Sequence, residues 1–466
     1  MLHAGDIIFA PATGNGGAIS IVRISGAGCL ELLDGIVELR RGNVSSLGGF
    51  SLRYGTVPGL DEVLLSVFRA PRSYTGEDMA EISCHASPFI LSGLMDKLSG
   101  AGARLAAPGE FTQRAFLNGK MDLAQAEAVA DLISSASSAQ HRVALSQLKG
   151  GYSAELAGIR DSLLELTTLM ELELDFSEEE LEFADRSRLR KLLDSAISRC
   201  TALADSFRVG NAVRNGVPVA IVGAPNSGKS TLLNALLHDD RAIVSDIPGT
   251  TRDTVEETCI LDGVLFRFID TAGIRESEDE IERLGIERAR KKAAQAEIVL
   301  GLIDLTVAST EEEFGQAARE IAGLVNLGRQ KLLILANKVD SGACNKNVND
   351  CNTFISCADN KDVALEILPI SAKTGIGLDE LRRRLVSASG IAFWQGTLVT
   401  NARHAAALRD AAASLAAVRS GLDAGLTGDL LSIDLHTALD SLGSITGAIS
   451  NDEVLGEIFK RFCVGK

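Results

Sequence analysis

No apolar run in the chain reaches the roughly 20 residues needed to span a bilayer, which excludes a membrane-spanning helix. The first residues, MLHAGDIIFAPAT, lack both the apolar core of a secretory signal and the Arg-rich pattern of a transit peptide, so a cytoplasmic protein is expected. Cysteine is sparse: 8 in 466 residues, with no C-x-x-C pair and no histidine at zinc-ligand spacing. That excludes a disulfide framework and a structural zinc. Cys344, Cys351 and Cys357 cluster in a polar stretch, SGACNKNVNDCNTFISCADNKD, read as a loop without metal. Positive charge is also short, with 46 Lys and Arg against 62 Asp and Glu and a net charge of −16. A broad basic face for nucleic acid is excluded, and any such contact must be local or shared with a partner. There are only 9 prolines, no internal repeat and no low-complexity tract. What remains, 46% hydrophobic and 23% charged, is a globular composition, and the length implies about three domains.

The texture changes three times along the chain. Residues 1–118 mix strand-like runs (Ala18–Ser25, Asp61–Ala70, Met79–Cys84) with short helical patterns such as Pro88–Leu98, an α+β domain. Residues 119–216 carry long amphipathic helices: Leu156, Ile159, Leu163, Leu166 and Met170 recur at spacings of 3 and 4, as do Leu189, Leu192, Ala196, Cys200, Leu203 and Phe207. Between these stripes ELELDFSEEELEF holds seven carboxylates and no base, a solvated helix end and turn. Residues 217–377 alternate short β-rich runs (Val219–Val222, Leu265–Ile269, Ile298–Ile303, Leu332–Leu335, Ile367–Ile370) with helical patterns, which predicts a doubly wound parallel sheet. Helices return over 378–466, through Ala405, Leu408, Ala412, Leu415, Val418 and Leu422. The simplest topology inserts an α/β domain into a helical one.

The first run of that insert, VAIVG, leads into GAPNSGKST, Gly223 to Thr231. This matches G-x-x-x-x-G-K-[ST] with a strand before and a helix after. Backbone N–H groups of Asn226, Ser227, Gly228 and Thr231 can curl around phosphates, Lys229 can reach the β and γ oxygens, and the Ser230 hydroxyl suits Mg²⁺. ANKVD names the base. The Asp340 carboxylate accepts from guanine N1–H and the 2-amino group, which adenine cannot offer, while Asn337 and Lys338 brace and cover the ring. Ser371, Ala372 and Lys373 present backbone N–H to guanine O6. Asp270, Thr271, Ala272 and Gly273 follow the second core strand, with Asp270 behind Mg²⁺ and the Gly273 N–H near the γ-phosphate. Four motifs in order, each at the C-terminal end of a strand, read as a GTPase. Ile274 stands where Ras-like proteins carry a water-positioning Gln, so hydrolysis needs another arrangement.

Six stretches carry a resemblance: Gly223–Ser230, DIPGTTRD at Asp246–Asp253, DTAGIRESEDEIERLGIERA at Asp270–Ala289, NARH at Asn401–His404, LDSLGSITG at Leu439–Gly447 and the final FCVGK. Together they make the chain similar, from Gly5 to Lys466, to the MnmE (TrmE) family of tRNA modification GTPases. The resemblance implies a folate-binding-like N-terminal domain, a helical bundle and an inserted P-loop GTPase domain. It further implies a homodimer that joins an FAD-dependent partner, MnmG (GidA), in a heterotetramer or larger complex. The implied product is a carboxymethylaminomethyl-type group at C5 of the wobble uridine of certain tRNAs. A one-carbon unit on tetrahydrofolate, 5-formyl- or methylene-type, is the implied donor.

Carried over by motif, Asn226 and backbone carbonyls of the loop Ser245, Asp246, Ile247, Pro248, Gly249 and Thr250 are implied to bind the nucleotide, and K⁺ through Asn226, Ser245, Ile247 and Thr250. K⁺ then takes the place of an arginine finger. Thr251 is implied to complete the Mg²⁺ shell and Glu282 to order the attacking water through a second water. In the first domain Arg23, Glu81, Lys120 and the terminal Lys466 match folate-binding positions; a carboxylate suits the pterin edge and basic groups the glutamate tail. One departure is Cys84-His85-Ala86-Ser87, where the family has Gly-His-Gly-Gly; the added Cβ atoms are expected to narrow the approach.

Cys463 stands four residues from the end, where a C-a-a-X prenyl signal would place it. Lys466 is an unusual final residue for that signal. Val454, Leu455, Ile458, Phe459 and Phe462 form a helical stripe that would dock the tail on the bundle, so Cys463 is expected to be a catalytic or site-lining thiol. Two other readings stay in view, a ribosome-assembly or regulatory GTPase and a lipid-anchored signalling GTPase. The acidic balance counts against the first, and the folate-like domain against the second.

Overall fold

A computed structural model of the chain describes residues 5–14, 16–175, 186–239, 257–269, 290–291, 293–342, 354–356, 362–364, 366–391, 394, 396–449, 452–460, 462 and 465. The acidic run beyond residue 175 and Cys344, Cys351 and Cys357 lie outside them. The chain begins with β1 (Ile8–Pro11), β2 (Ile19–Ser25), α1 (Cys29–Asp34), β3 (Glu38–Leu39), β4 (Ser51–Val57), β5 (Asp61–Phe68) and β6 (Met79–His85). Then come α2 (Pro88–Gly100), β7 (Arg104–Leu105), α3 (Glu110–Leu117), α4 (Leu123–Ser134), α5 (Ser138–Leu148), α6 (Gly151–Asp175) and α7 (Arg186–Asn215). The insert holds β8 (Val217–Gly223), α8 (Lys229–Asp239), β9 (Glu257–Leu261), β10 (Val264–Phe268), β11 (Ile298–Asp304), α9 (Glu311–Ala322) and β12 (Lys331–Asn337). It ends with a small hairpin, β13 (Phe354–Ser356) and β14 (Asp362–Ala364), then β15 (Glu366–Pro369) and α10 (Leu378–Ser389). Three helices close the chain: α11 (Ala402–Asp423), α12 (Gly428–Thr446) and α13 (Asp452–Phe459).

Contacts divide the chain into two compact units. The first comprises Met1–Ala130, Gln147–Leu174 and Leu426–Lys466, and the second Asp131–Ser146 and Asp175–Gly425. In the first unit seven strands form one sheet in the order β3-β4-β5-β6-β2-β1-β7, mostly antiparallel. Alternation sorts the side chains: Val22, Ile24, Val63, Leu65, Ala80, Ile82 and Cys84 pack under α1 and α2 with Leu30, Leu33, Leu94 and Leu98. The other face of β2 and β6 carries Arg23 and Glu81, directly paired in register. The stripe of α6 is buried as its spacing predicts, from Leu156 to Met170. At the C-terminal end Leu455, Phe459 and Phe462 pack on Leu123 and Ala126 of α4, with Ile458 at the margin. Val454, expected in that stripe, is 42% exposed, because the face that meets α4 is set by the bulk of the two phenylalanines.

The second unit is built on a six-stranded sheet of order β15-β12-β11-β8-β10-β9, parallel except for the edge strand β9. Apolar clusters cover both faces, which is why its central strands read as unbroken apolar runs. β9 has no such run and is half exposed at the edge, so periodicity does not reveal it. α7 packs lengthwise on α11, although the whole insert separates them in sequence. The Ser206 hydroxyl accepts the Val399 N–H at 3.0 Å, and Arg190–Asp423 and Arg419–Asp194 pair along the surface. The buried stripe of α7 runs through Leu189, Leu193, Ala196, Cys200 and Leu203, so Leu193 rather than Leu192 meets the core. In α11 Ala411 takes the place expected for Ala412. Both are one-residue rotations that a period of 3.6 allows and only the partner helix decides.

Among the described residues no helix is long and apolar enough to cross a membrane, and no cluster of His, Cys, Asp or Glu could hold a metal. Cys29, Cys84, Cys200 and Cys259 are buried outside any disulfide. Burial pushes the Cys29 thiol up to about 12 and Cys200 up to about 11, so both behave as packing residues. The fully buried Leu300 of β11 sits among Ile221, Leu233 and Leu335. Leu300→Ala should cost about 2–5 kcal/mol, read as a lower urea midpoint for the transition that exposes residues 217–389; an unchanged midpoint would rule out this core assignment.

Candidate functional site

The sheet's C-terminal edge in the second unit gathers the phosphate and base motifs. β8 ends at Gly223, and the loop that follows turns back through Asn226, which holds a left-handed φ of 60°, before α8 starts at Lys229. The positive end of α8 therefore points at the loop. Gly228 has φ 101°, and a Cβ there would lie 2.4 Å from the Asn337 Nδ2, so only glycine lets the two segments approach. Lys229 Nζ donates to the carbonyls of Gly223 and Ala224 at 3.0 and 2.8 Å, which holds the ammonium over the loop. Ser227 is 1% exposed, and its hydroxyl has no hydrogen-bond partner among the described residues. Asn226, Ser230 and Thr231 are exposed at the rim.

Asn337, at the end of β12 and only 2% exposed, ties the site together. Its Nδ2 donates to the Ser227 carbonyl at 2.8 Å, and its Oδ1 accepts the Ala372 N–H at 3.0 Å. One amide thus clamps the phosphate loop to the turn at Ser371, Ala372 and Lys373. That turn is closed by the fully buried Ser371, whose hydroxyl accepts the Thr374 N–H at 3.1 Å. Lys338, left-handed at φ 68°, sends its Nζ to Asp304 Oδ2 at 2.6 Å. Burial works against the Asp304 charge, but donors from Lys338 and Thr306 outweigh it and hold the carboxyl below its usual range. A carboxylate depressed in this way keeps its pair with Lys338 above the ordinary carboxylate pKa and loses it only as the pH falls through the lowered value. Asp340 is exposed in the short 3₁₀ turn Val339–Ser341, two residues beyond that lysine. Asp304 was not among the sequence candidates; an acidic residue ending a central strand was the available signal.

In the first unit the structure brings Arg23, Glu81 and the C-terminal segment together. Arg23 lies inside β2 and is 14% exposed, not the surface charge such a residue ordinarily is; its Nε and Nη2 both reach Glu81 Oε1 at 2.9 Å. Its third nitrogen, Nη1, donates to the Gly465 carbonyl at 3.3 Å. The guanidinium stacks over Tyr74 and Phe111, 5.3 and 5.7 Å from the ring centres. Neither ring has a sequence pattern that marks it. Lys120 donates to the Pro71 carbonyl at 2.8 Å, on the segment that leads to Tyr74. Cys84 points into the core on the face opposite Glu81, so its Cβ does not narrow the approach to that carboxylate. His85 pairs with Asp61 at 2.9 Å. Ser245, Asp246, Ile247, Pro248, Gly249, Thr250, Thr251, Asp270, Thr271, Ala272, Gly273, Ile274, Glu282, Cys463 and Lys466 lie outside the described residues.

Two family profiles match the chain: "GTP-binding protein TrmE N-terminus" over residues 7–120 and "MnmE helical domain" over residues 123–463. A tRNA modification GTPase MnmE from Bacteroides fragilis is 48% identical over 470 residues, covering 99% of each chain. The chain belongs to the MnmE family. The relative from Christiangramia forsetii, under the same name, is 46% identical over 471 residues, again covering 99% of each chain. Among solved structures, Era in complex with MgGDPNP and a segment of 16S ribosomal RNA is 29% identical, covering 42% of this chain and 66% of its own, with a TM-score of 0.27.

The Asn337 clamp makes a direct prediction for this MnmE family member. Asn337→Ala removes two buried hydrogen bonds, worth about 0.5–1.5 kcal/mol each, and should weaken GTP binding on the order of 10- to 100-fold. Titration with a fluorescent GTP analogue measures this, and unchanged affinity would show that the clamp does not organise the site.

Proposed function

We propose that the chain hydrolyses GTP with Mg²⁺ and K⁺ and, with a flavoprotein partner, adds a carboxymethylaminomethyl-type group to C5 of the wobble uridine of certain tRNAs. The observation that carries the nucleotide half is the Asn337 amide, which joins the phosphate loop and the base-side turn into one site. The tRNA half rests on full-length membership of a family of tRNA modification GTPases. The fold, with a G domain set between helical segments, suits both.

In this reading the backbone N–H groups from Asn226 to Thr231 and the end of α8 receive the phosphates, and Lys229 exchanges its loop carbonyls for β and γ oxygens. The buried Ser227 hydroxyl, without a partner among the described residues, is a further donor within the loop. Ser230, exposed at the start of α8, offers the hard oxygen that Mg²⁺ prefers, with Thr251 as its companion and Asp270 behind. Mg²⁺, when bound, would neutralise charge on the phosphates. Asp340 reads the guanine edge, Lys338 lies over the ring with its ammonium anchored on Asp304, and Ser371, Ala372 and Lys373 face O6. Asn226, exposed at the loop rim, offers an amide oxygen to K⁺, joined by the carbonyls of Ser245, Ile247 and Thr250. The loop continues through Asp246, Pro248 and Gly249 against the nucleotide, and Thr271, Ala272 and Gly273 close on the γ-phosphate. Glu282 orders the attacking water.

The second site takes a tetrahydrofolate derivative. Its fit rests on Glu81: Arg23 occupies only Oε1, which leaves Oε2 for the 2-amino and ring N–H edge of a pterin. Arg23 keeps two N–H groups beyond those given to Glu81 and Gly465, and with Lys120 and Lys466 it serves the folate. Cys463 serves as a catalytic or site-lining thiol. We place the chain in the cytoplasm as a homodimer joined by MnmG, an FAD-dependent protein.

Two measurements test this. GTP hydrolysis should be about 10-fold or more faster in KCl than in NaCl at constant Mg²⁺, since a cation is asked to do the work of an arginine finger; equal rates would reject K⁺ at Asn226. Mass spectrometry of tRNA nucleosides from cells lacking the protein should show loss of the carboxymethylaminomethyl-type wobble uridines, and their full retention would overturn the tRNA reading.

A further inference from the structure

The two nucleotide-site segments outside the described residues flank one hairpin. β9 starts six residues after Thr251, and β10 ends two residues before Asp270. Leu261 and Val264 pair across a two-residue turn, Asp262-Gly263, with φ of 47° and 79°, the geometry that matches strand twist. Asp262 is exposed, but Gly263 is half-buried. The Gly263 carbonyl accepts the Ala139 N–H at 3.1 Å and the Ser138 hydroxyl at 3.3 Å, both at the start of α5. A Cβ at 263 would lie 2.1 Å from the Ser138 Oγ, so the grip requires glycine for space as well as for φ.

The start of α5 is itself a junction. Gln140 Oε1 accepts the N–H groups of Ala136 and Ser137 at 2.8 and 2.9 Å, while its Nε2 donates to the Arg214 carbonyl at 2.8 Å. Arg214 pairs with Asp131 at the end of α4, 2.7 Å away. Ala139 packs with Val209, Val213 and Leu398. One residue past Asn215, α7 becomes β8, the strand that feeds the phosphate loop. The first turn of α5 therefore meets the β9–β10 turn at Gly263 and, through Gln140 and Ala139, the end of α7 that leads into β8. A displacement at the nucleotide end of β9–β10 has a stiff path to it.

We propose that Gly263 is a positioning residue: through Ser138 and Ala139 it locks the β9–β10 hairpin to α5, and this lock transmits the nucleotide state of the G domain to the helices α4, α5 and α7. The inference rests on the GTP site proposed above. Hydrogen exchange of the full-length chain, with Mg²⁺ and either GDP or a non-hydrolysable GTP analogue, tests it over residues 136–148. Exchange there should differ about fivefold or more between the two nucleotides, as expected when local opening is coupled to a ligand. Gly263→Ala should abolish that difference while the affinity for each nucleotide stays within about threefold. Ala139→Pro is the second variant: it removes the N–H given to Gly263, at a first-turn position that tolerates proline, and should have the same effect. Nucleotide-independent exchange in the native chain, or a full difference in either folded variant, would overturn the lock. Failure of the native chain to bind either nucleotide would overturn the GTP site beneath it.

Discussion

One buried amide holds the nucleotide site in shape. Asn337 has two hydrogen-bonding ends at the close of a central strand, one given to the phosphate loop and one taken from the turn at Ala372. Buried polar atoms are costly unless satisfied, so this side chain has one stable arrangement, and it dictates the separation of the two loops. Gly228 follows from that approach, because no Cβ fits against the amide. Lys338 follows from it too, turned left-handed by one residue and anchored by Asp304. Apolar clusters on both faces of the sheet supply the rigid base on which such short distances persist.

A second constraint of the same kind organises the other unit. Arg23 and Glu81 share a register on neighbouring strands, and the guanidinium is held flat over two aromatic rings. With two of its nitrogens on one carboxylate oxygen and the third on the Gly465 carbonyl, Arg23 has three of its five N–H groups committed within the protein. Its role shifts from charge to geometry: it orients Glu81 and steadies the end of the chain beside it. The terminal helix arrives there because Leu455, Phe459 and Phe462 pack on α4, a hydrophobic docking that needs no covalent anchor.

The two places are alike in having a polar side chain, Asn337 or Glu81, fixed by a partner distant in sequence. They differ in how the backing is made. In the G domain it is parallel sheet and loop, where helix α8 and backbone N–H groups favour phosphate. In the N-terminal unit it is a mostly antiparallel sheet whose other face carries Arg23 and Glu81 in register.

Much of this was legible beforehand, and the reason is local chemistry. The phosphate loop, ANKVD and the Ser371–Lys373 turn each do their work within a few consecutive residues, so residue type and spacing suffice to name them. The parallel strands of the insert are buried on both faces and stand out as apolar runs. Strand β9, half exposed at an edge, does not, and Leu193 and Ala411 take positions that differ by one residue from the stripes read along the chain because the partner helix sets the rotation. Tyr74, Phe111, Asp304, Ser138 and Gly263 are separated from the residues they serve by up to 125 positions, and no local pattern marks them. By itself the sequence determined which chemistries are present and which elements carry them; the tertiary structure alone decided which distant groups close on one another, because those distances follow from packing across strands and helices and not from any spacing along the chain.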